Sequence, residues 1–273
     1  LLLLSSDEAV MGNFLSRLFP LLIGLAIIFF SEKKVYLFLL FLLFIGVDTV
    51  IYLSGERTAL GLLFISSIFV LFLVSKFRIF RLFSIFFSIL IIIIISFYNP
   101  EIKERNIDLT VKQTGIGQQG EFYLFTPMHD KMFRSAFIMF LDKPLIGVGP
   151  EGYRYFCNKE AYFIDGEEQC ATHPHNTYIQ ILAETGVLGI IFIISMAFYF
   201  IKKTLNHLVS IFKKDRILSD LNVCIIGCFL CTFWPFLPTL DFFNNWISII
   251  YYLPIGLLFN STQNQDIKNE SVN

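Results

Sequence analysis

The chain has 273 residues, of which 55% are hydrophobic and only 16% are charged. Together with a mean hydropathy of +0.67, this composition excludes an ordinary soluble domain and predicts a polytopic membrane protein. The formal net charge is −1, and the Lys and Arg residues are scattered along the chain. Because they form no basic stripe, the sequence also argues against a nucleic-acid partner.

The chain begins with LLLLSSDEAV and has no initiator Met. We therefore expect an N-terminally truncated chain in which Leu1 to Leu4 are the tail of a hydrophobic segment. The first residues lack the basic region, apolar stretch and small-residue cleavage site of a secretory signal peptide. We expect insertion to depend on the spans themselves or on spans upstream of them.

Seven segments are candidate membrane-spanning helices, since such a helix needs about 20 mostly apolar residues and somewhat fewer when flanking residues snorkel. They cover about 14–30, 35–53, 58–75, 79–98, 178–201, 217–237 and 244–260. The predicted fold class is therefore all-α, a polytopic transmembrane helix bundle of about seven spans with one long loop subdomain containing short helices.

Basic residues in the short loops predict the orientation, because they collect on the cytoplasmic side. With alternating spans, one side receives three basic groups: Lys33 and Lys34; Lys76, Arg78 and Arg81; and Lys202, Lys203, Lys213, Lys214 and Arg216. We assign this side to the cytoplasm and the side of Arg17 and Arg57 to the outside. The predicted parts are spans 1–4 in residues 1–98, a periplasmic loop subdomain in 99–177, spans 5–7 in 178–260 and a cytoplasmic tail in 261–273.

The long loop has three recognisable parts. Its first third, EIKERNIDLTVKQTGIGQQGE, is polar, and we expect it to be irregular or mobile. Thr126 and Pro127 then predict the cap and first residue of a helix that stops at Pro144. The apolar face of this helix is expected to lie on the membrane surface or on the bundle, and it comprises Met132, Phe133, Phe137, Phe140 and Leu141. A glycine-rich turn, LIGVGPEG, follows.

The five cysteines fall into two groups. Cys157 and Cys170 lie in the loop that we place outside, where a disulfide can form; the alternative is two free thiols. The other three lie at helical spacing in an apolar span and are interpreted as core residues rather than metal ligands; they are Cys224, Cys228 and Cys231.

The segment CATHPHNTYIQILAETGVLG places a His-Pro-His-Asn cluster directly before an apolar helix. His175 and Asn176 stand at the predicted helix start, and Tyr178 continues into the helix. An imidazole with an unperturbed pKa near 6.5 can accept a proton from a hydroxyl at neutral pH. The alternative is a capping or hydrogen-bonded histidine at the membrane interface. His173 and His175 have no evident third ligand for a metal, and no nucleophile elbow is present.

Three arginines fall on the predicted outer side together with the histidines. Arg57 and Arg134 suit a lipid-linked diphosphate, because the guanidinium group offers a planar fork of donors and stays charged. For Arg57 the alternatives are a salt bridge with Glu56 or a snorkelling anchor at the interface. For Arg17 the anchor is the favoured interpretation, with a supporting role at the site as the alternative.

Two stretches, PLIGVGPEGYRYFC and CATHPHNTYIQILAETGVLG, resemble the O-antigen ligase and polymerase superfamily of membrane glycosyltransferases. That superfamily has a His-Asn-x-Tyr/Leu segment after a long periplasmic loop and before a Glu-x-Gly-x-x-Gly helix break. The stretches SSDEAVMGNFLSRLFPLL and SGERTALG look like its upstream parts, so the resemblance covers Ser5 to about Phe259. Family members usually have more than seven spans, which supports truncation.

The resemblance implies an inverting, metal-independent glycosyltransferase without a cofactor, embedded in the bilayer of the bacterial inner membrane with its active site facing the periplasm. It implies His175 as the base that activates an acceptor hydroxyl, and Arg57 and Arg134 as diphosphate-binding residues; His173, Asn176 and Tyr178 would support them. The donor would be an undecaprenyl-diphosphate-linked glycan. The acceptor would be lipid A-core in a ligase, another lipid-linked repeat in a polymerase, or a protein hydroxyl.

Two other classes of protein remain to be weighed. A transporter of lipid-linked sugars would carry ionisable residues near mid-span or paired broken helices, and Asp48 is the clearest buried acid in the sequence. A structural or sensor protein with an outer loop domain would leave the clustered arginines and histidines unexplained. The enzyme is therefore the favoured interpretation.

Overall fold

A computed structural model describes residues 11–30, 34–114, 125–164 and 170–270. The structure is 77% helical, and no strand occurs in these ranges, which confirms the all-α class. The α-helices are α1 (Met11–Phe29), α2 (Lys34–Leu53), α3 (Arg57–Leu73), α4 (Arg78–Tyr98), α5 (Pro100–Lys103), α6 (Leu109–Thr114), α7 (Pro127–Asp142), α8 (Tyr153–Phe156), α9 (Thr177–Phe212), α10 (Asp220–Thr232) and α11 (Asn245–Glu270). A π-helical turn covers Glu104–Asp108, and a 3₁₀ turn covers Glu160–Tyr162.

Each of the seven predicted spans coincides with an apolar helix. Four helices within the described ranges are long and apolar enough to cross a membrane, namely α1, α2, α4 and α9. Helices α3 and α10 and the Asn245–Phe259 part of α11 are shorter apolar helices. The chain is thus a multi-pass membrane protein with an all-α bundle.

The chain divides into two compact units. Unit 1 comprises residues 1–108, 200–232 and 250–273, and unit 2 comprises residues 109–199 and 233–249. The predicted division into spans and a loop subdomain is a different partition, and it stays a prediction.

In unit 1, α1 packs against α3 and α10, and α2 packs against α4. Small residues permit the close contact of α1 with α10: a Cβ added at Gly24 would lie 2.9 Å from the Cβ of Cys224, and one at Gly227 would lie 3.2 Å from the Cβ of Pro20. Apolar helices in a bilayer associate through such close packing. The three free cysteines of α10 are buried in this packing, as predicted for core residues.

The loop 74–77 and the loop before α10 lie together at one end of unit 1. The Asp220 carboxylate accepts hydrogen bonds from the backbone and side chain of Ser75 and from Lys76 N. Arg216 donates to Leu73 O over 2.5 Å. At the opposite end, Glu56 contacts the start of α1. Two of the predicted basic groups therefore share one end of unit 1, as the alternation of spans requires. The side of the membrane on which this end lies stays a prediction.

Arg81 does not belong to the loop group in which the sequence placed it. It lies inside α4 with 1% exposure, and its two terminal nitrogens donate to Asp48 over 2.7 and 3.0 Å. It also donates to Ser67, and its guanidinium lies over the Phe19 ring. A buried arginine needs such partners, since an unpaired charge is costly inside a bundle. The pair gives the buried Asp48 carboxylate a partner of opposite charge within unit 1.

Lys202 and Lys203 also lie inside a helix, because α9 continues to Phe212 instead of ending near residue 201.

The start of the long loop also differs from the prediction, because we expected it to be irregular. Residues 100–114 are helical instead, as α5, the π-helical turn and α6. The rest of that stretch, residues 115–124, lies outside the described residues.

In unit 2, α7 begins and ends as predicted. Thr126 accepts a hydrogen bond from His129 N, Pro127 occupies the first turn, and the helix ends before Pro144. Of the predicted apolar face, Met132 is buried together with Ala136 and Met139, whereas Phe137 and Leu141 are 46% and 61% exposed. The exposed part of this face is compatible with the predicted position on the membrane surface, which stays a prediction.

Cys157 and Cys170 form the predicted disulfide, with their Cα atoms 5.4 Å apart. It lies in a small apolar core of unit 2 that includes Met132, Ala136 and Tyr153. Burial raises the pKa of the Tyr153 phenol. The disulfide thus ties the segment before the histidines to α7 and α8.

Helix α9 is broken at Gly186, whose φ of 65° and ψ of −158° are not helical. Segment 144–149 fills this break and pairs with the backbone groups that the break leaves without helical partners. The bonds are Val187 N to Pro144 O (2.8 Å), Val148 N to Ala183 O (2.9 Å) and Gly149 N to Glu184 O (3.0 Å). The LIGVG turn therefore provides the hydrogen-bond partners that the helix break leaves without helical ones. The turn and the break together fix the position of the first two turns of α9.

Candidate active site

The HPHN segment leads directly into α9. Asn176 caps this helix, since its Oδ1 accepts hydrogen bonds from Tyr178 N (3.0 Å) and Ile179 N (3.2 Å). Asparagine is among the best residues at this position because its side chain satisfies amide groups that have no helical partner. The predicted helix start is thus confirmed, and the cap holds the preceding His175 in place.

His175 has an unusual backbone for a residue other than glycine. Its φ is +53°, a conformation that is rare for non-glycine residues and that clusters at functional sites. Its carbonyl oxygen accepts a hydrogen bond from Thr239 N over 2.8 Å. The side chain is only partly buried. The ring centroid lies 4.2 Å from that of His173 and 5.6 Å, edge-on, from that of His129 on α7.

His173 differs from His175 in being fully enclosed, with 2% exposure. Its Nε2 lies 2.9 Å from Thr239 O, and its Nδ1 lies 3.0 Å from Thr172 Oγ1. Since a carbonyl only accepts, Nε2 carries the proton and Nδ1 accepts from the hydroxyl. Burial, and next the nearby His175, lower the pKa of His173 to about 4. His173 is therefore neutral at pH 7 and has both ring nitrogens engaged.

Residues 233–241, here called the strap, pack against the HPHN segment. Tyr178 Oη donates to Phe233 O over 2.7 Å, and Asn176 Nδ2 donates to Pro235 O over 3.1 Å. Thr177 Oγ1 donates to Thr239 Oγ1 over 3.0 Å. The strap thus contacts the HPHN segment through side chains and backbone, and restrains both histidines.

A buried polar network continues one turn further along α9. Gln180 Nε2 donates to Asp241 Oδ1 (2.7 Å) and to Glu184 Oε2 (3.1 Å). Asp241 also accepts from Arg154 over 2.8 Å, and Glu184 Oε1 accepts from Tyr153 N over 2.9 Å. Both Gln180 and Glu184 have no exposed surface. The network connects the strap, α9 and α8 within unit 2.

Sequence reasoning missed most of this network. Asn176, Gln180 and Glu184 recur every four residues, a spacing that places them on one face of a helix, and this polar stripe could have been recognised. Thr239 and Asp241 have no comparable signal, because they lie about 60 residues further along the chain in a proline-rich segment. Only folding brings them to the histidines.

Of the predicted site residues, His173, His175, Asn176 and Tyr178 lie together in unit 2. Arg134 lies on α7 of the same unit, where it is exposed and pairs with Asp130 at 2.8 Å. Its side chain is 66% exposed, so a water-screened pair of this kind holds it weakly.

Arg57 and Arg17 belong to unit 1. Arg57 is the exposed first residue of α3. The preceding Glu56 accepts hydrogen bonds from Gly12 N and from Asn13 N and Nδ2 at the start of α1. Arg17 is buried and donates to Thr232 O over 2.9 Å. It therefore neutralises the carboxyl end of α10 and does not snorkel, whereas its supporting role at the site stays a prediction.

Within the described ranges, no group of three or more His, Cys, Asp or Glu side chains is arranged to hold a metal ion. The chemistry that the site itself offers is proton transfer. The partly exposed imidazole of His175 lies against the buried, neutral imidazole of His173. The capped helix and the strap hold both rings in place.

The profile of the O-antigen ligase family matches residues 37–194, more than half of the chain. Proteins of Rickettsia conorii and Rickettsia typhi that carry the provisional name of polysaccharide ligase are 29% identical over 98 and 96 residues, respectively. Each match covers 34% of this chain and 24% of the relative, so it spans about a quarter of the relatives' length. No solved structure matches the chain. The range of the family profile includes Arg57, Arg134 and the HPHN segment, and it ends before the strap.

Proposed function

The chain belongs to the O-antigen ligase family, and on that basis we propose that it is a membrane glycosyltransferase that moves a glycan from undecaprenyl diphosphate to an acceptor hydroxyl. The proposed acceptor is lipid A-core, and the proposed location is the inner membrane with the active site at the periplasmic face. The observation that supports this most strongly is the arrangement of His175, which combines partial exposure with a restrained backbone.

In the proposed step, His175 accepts the proton of the acceptor hydroxyl while the hydroxyl oxygen attacks the anomeric carbon. The new carbon–oxygen bond forms on the face opposite the diphosphate. At the same time the bond from the anomeric carbon to the diphosphate oxygen breaks, and the electron pair leaves with the diphosphate. The configuration at the anomeric carbon is inverted.

The departing diphosphate gains negative charge, which guanidinium groups stabilise through charge-assisted, planar pairs of hydrogen bonds. Arg57 and Arg134 are proposed for this task, as the resemblance implies. The exposure of both side chains supports the assignment, because a binding residue has to reach its ligand. The proposed reaction uses no cofactor and no metal.

His173 is proposed as a positioning residue. It is neutral and engaged at both nitrogens, so it cannot take the proton without losing a hydrogen bond and placing a charge in a buried position. Its ring lies against that of His175, and its bond to Thr239 O fixes the strap. This difference in environment supports His175 over His173 as the base.

The experiment is glycan transfer in membranes that contain the chain and lack another O-antigen ligase, with labelled lipid-linked donor and lipid A-core. We expect His175→Gln to lower the rate about 100- to 10,000-fold, the usual contribution of a general base. Asn158→Ala, an exposed position of the same unit, is the control and should retain the wild-type rate at equal membrane abundance.

Transfer by His175→Gln at the wild-type rate would contradict the base assignment. A parallel strain without its O-antigen polymerase distinguishes the two family activities. Restored attachment to lipid A-core supports the ligase, and restored chain length instead supports the polymerase.

A further inference from the structure

Arg105 lies beside the turn that carries Arg57, although 48 positions of sequence separate them. It belongs to the π-helical turn Glu104–Asp108 that follows α5. Its Nε donates to Gly55 O over 3.1 Å, and the next residue, Asn106, donates to Tyr52 O over 2.9 Å. Two side chains of this π-helical turn thus attach it to the turn between α2 and α3. Such π-helical insertions occur frequently at functional sites.

The close approach of Arg105 depends on Gly55. This glycine has a φ of +70°, and a Cβ added to it would lie 2.8 Å from Cδ and 2.9 Å from Nε of Arg105. A larger residue would displace the arginine. The SGER turn therefore contributes both an arginine of its own and the space in which a second arginine lies.

Arg105 is bonded to Gly55, which precedes Arg57 by two residues, so that both arginines lie at one turn, and both residues are exposed. Among the described residues, no carboxylate forms an ion pair with Arg105. Like charges held side by side repel each other and favour a bound anion. The amino end of α3, which begins at Arg57, adds a further preference for negative charge.

We propose that Arg105 is a further diphosphate-binding residue besides Arg57 and Arg134, and that Arg57 and Arg105 are the two that bind the diphosphate of a polyprenyl-linked donor from unit 1. The inference rests on the proposed function for the identity of the lipid. A diphosphate has two phosphoryl groups, each able to accept hydrogen bonds from one guanidinium. Two adjacent arginines therefore match a diphosphate better than a monophosphate.

The test measures binding of undecaprenyl diphosphate without a sugar to the full chain in nanodiscs of neutral phosphatidylcholine. Arg105→Gln should weaken binding about tenfold or more, the effect of losing a hydrogen bond to a charged group. Its binding of undecaprenyl monophosphate should change less, so that the preference for the diphosphate falls. Phosphatidylglycerol added to the nanodiscs at the same concentration as undecaprenyl diphosphate should not reduce the binding of undecaprenyl diphosphate, since the ligand is the diphosphate rather than any anionic lipid.

Lys103→Gln is the matched control, because it removes a positive charge from the same segment where Lys103 pairs with Asp108 at 3.9 Å. It should leave diphosphate binding within about twofold of wild type, well inside the tenfold effect expected for a direct contact. An equal loss in both variants would overturn the proposal in favour of general attraction between charges. Wild-type binding by Arg105→Gln would overturn it directly.

Arg105→Lys separates binding from a structural role, because a lysine can still donate to Gly55 O but lacks the planar fork. We expect this variant to be as thermally stable as wild type, with a raised KM for the donor and an unchanged kcat. An unchanged KM would overturn the proposal. If the chain binds undecaprenyl diphosphate through Arg105 but transfers no glycan, the proposed function fails and the site stands. If it transfers glycan and Arg105→Gln has a normal donor KM, the site fails and the function stands.

Discussion

Two histidines only two positions apart differ in their surroundings, which supports the different roles proposed for them. His173 is enclosed and bonded through both ring nitrogens, whereas His175 is partly exposed. The positive φ of His175 is a backbone conformation that residues other than glycine rarely adopt. The structure thus supports His175 over His173 as the proposed base. The local sequence could suggest this choice only through the family resemblance.

The low pKa of His173 predicts a dependence of stability on pH. Burial and the charges of His175 and Arg154 lower this pKa to about 4, against the opposing effects of Thr239 O and Asp241. Between about pH 6.5 and 4, the unfolded chain binds a proton at this position and the folded chain does not. The free energy of unfolding should therefore fall as the pH is lowered through this window, by at most about 3 kcal/mol from this residue.

The measurement is thermal unfolding of the detergent-solubilised chain at pH 7 and at pH 4.5. In His173→Gln, which keeps a donor for Thr239 O, the difference between the two pH values should be smaller than in wild type. Identical differences in the two proteins would show that His173 does not titrate with unfolding.

At the scale of elements, the broken helix α9 and segment 144–149 stabilise each other. Gly147 and Gly186 both have a φ of +65°. A Cβ at Gly147 would lie 2.3 Å from the carbonyl carbon of Glu184, and one at Gly186 would lie 2.5 Å from the backbone of Leu145. Neither position can take a side chain without separating the segment from the helix.

We expect Gly186→Ala and Gly147→Ala to lower the free energy of unfolding by at least about 1–3 kcal/mol each, the cost of a strained backbone alone. Transfer activity should fall with them, because the first turns of α9 carry the HPHN cap. Thermal unfolding and the transfer assay measure the two effects.

Gly46→Ala is the control for these variants, because Gly46 lies in α2 and an added Cβ would contact nothing within 4 Å. Its stability should be unchanged or higher by up to about 1 kcal/mol, since alanine favours helices. Gly186→Ala as stable as Gly46→Ala would contradict the role of the break.

At the scale of the molecule, the helices of unit 1 alternate in direction, and two basic loops share one end. The contact between Ser75 and Asp220 shows this directly. Three of the cations used to assign the orientation, Arg81, Lys202 and Lys203, lie within helices instead. By the positive-inside rule, the remaining loop cations still predict that the shared end lies in the cytoplasm.

Thiol labelling of intact cells tests this orientation. Lys76→Cys and Lys213→Cys lie at the shared end and should react with a membrane-impermeant maleimide only after the membrane is opened. Glu160→Cys, exposed in unit 2, should react from outside. The native cysteines give little background, because three are buried and two form a disulfide.

The opposite pattern of labelling would invert the proposed topology and place the histidines in the cytoplasm. Different behaviour of Lys76→Cys and Lys213→Cys would instead contradict the arrangement of unit 1.

The sequence by itself determined the features that depend on neighbours along the chain. Apolar length predicted the seven apolar helices that are candidate spans, Thr126 and Pro127 predicted the start of α7, and the HPHN segment with its helix break carried the family resemblance. These patterns are local, because a span, a cap or a turn is specified by residues within a few positions.

Only the tertiary structure decided which polar groups are buried and with what partners. Arg81 pairs with Asp48, 33 positions away, and His173 contacts Thr239, 66 positions away. A charged residue near a helix end looks the same in sequence whether it faces the bilayer interface or a partner on another helix. The free energy that decides between them comes from contacts between distant segments, which only the folded chain brings together.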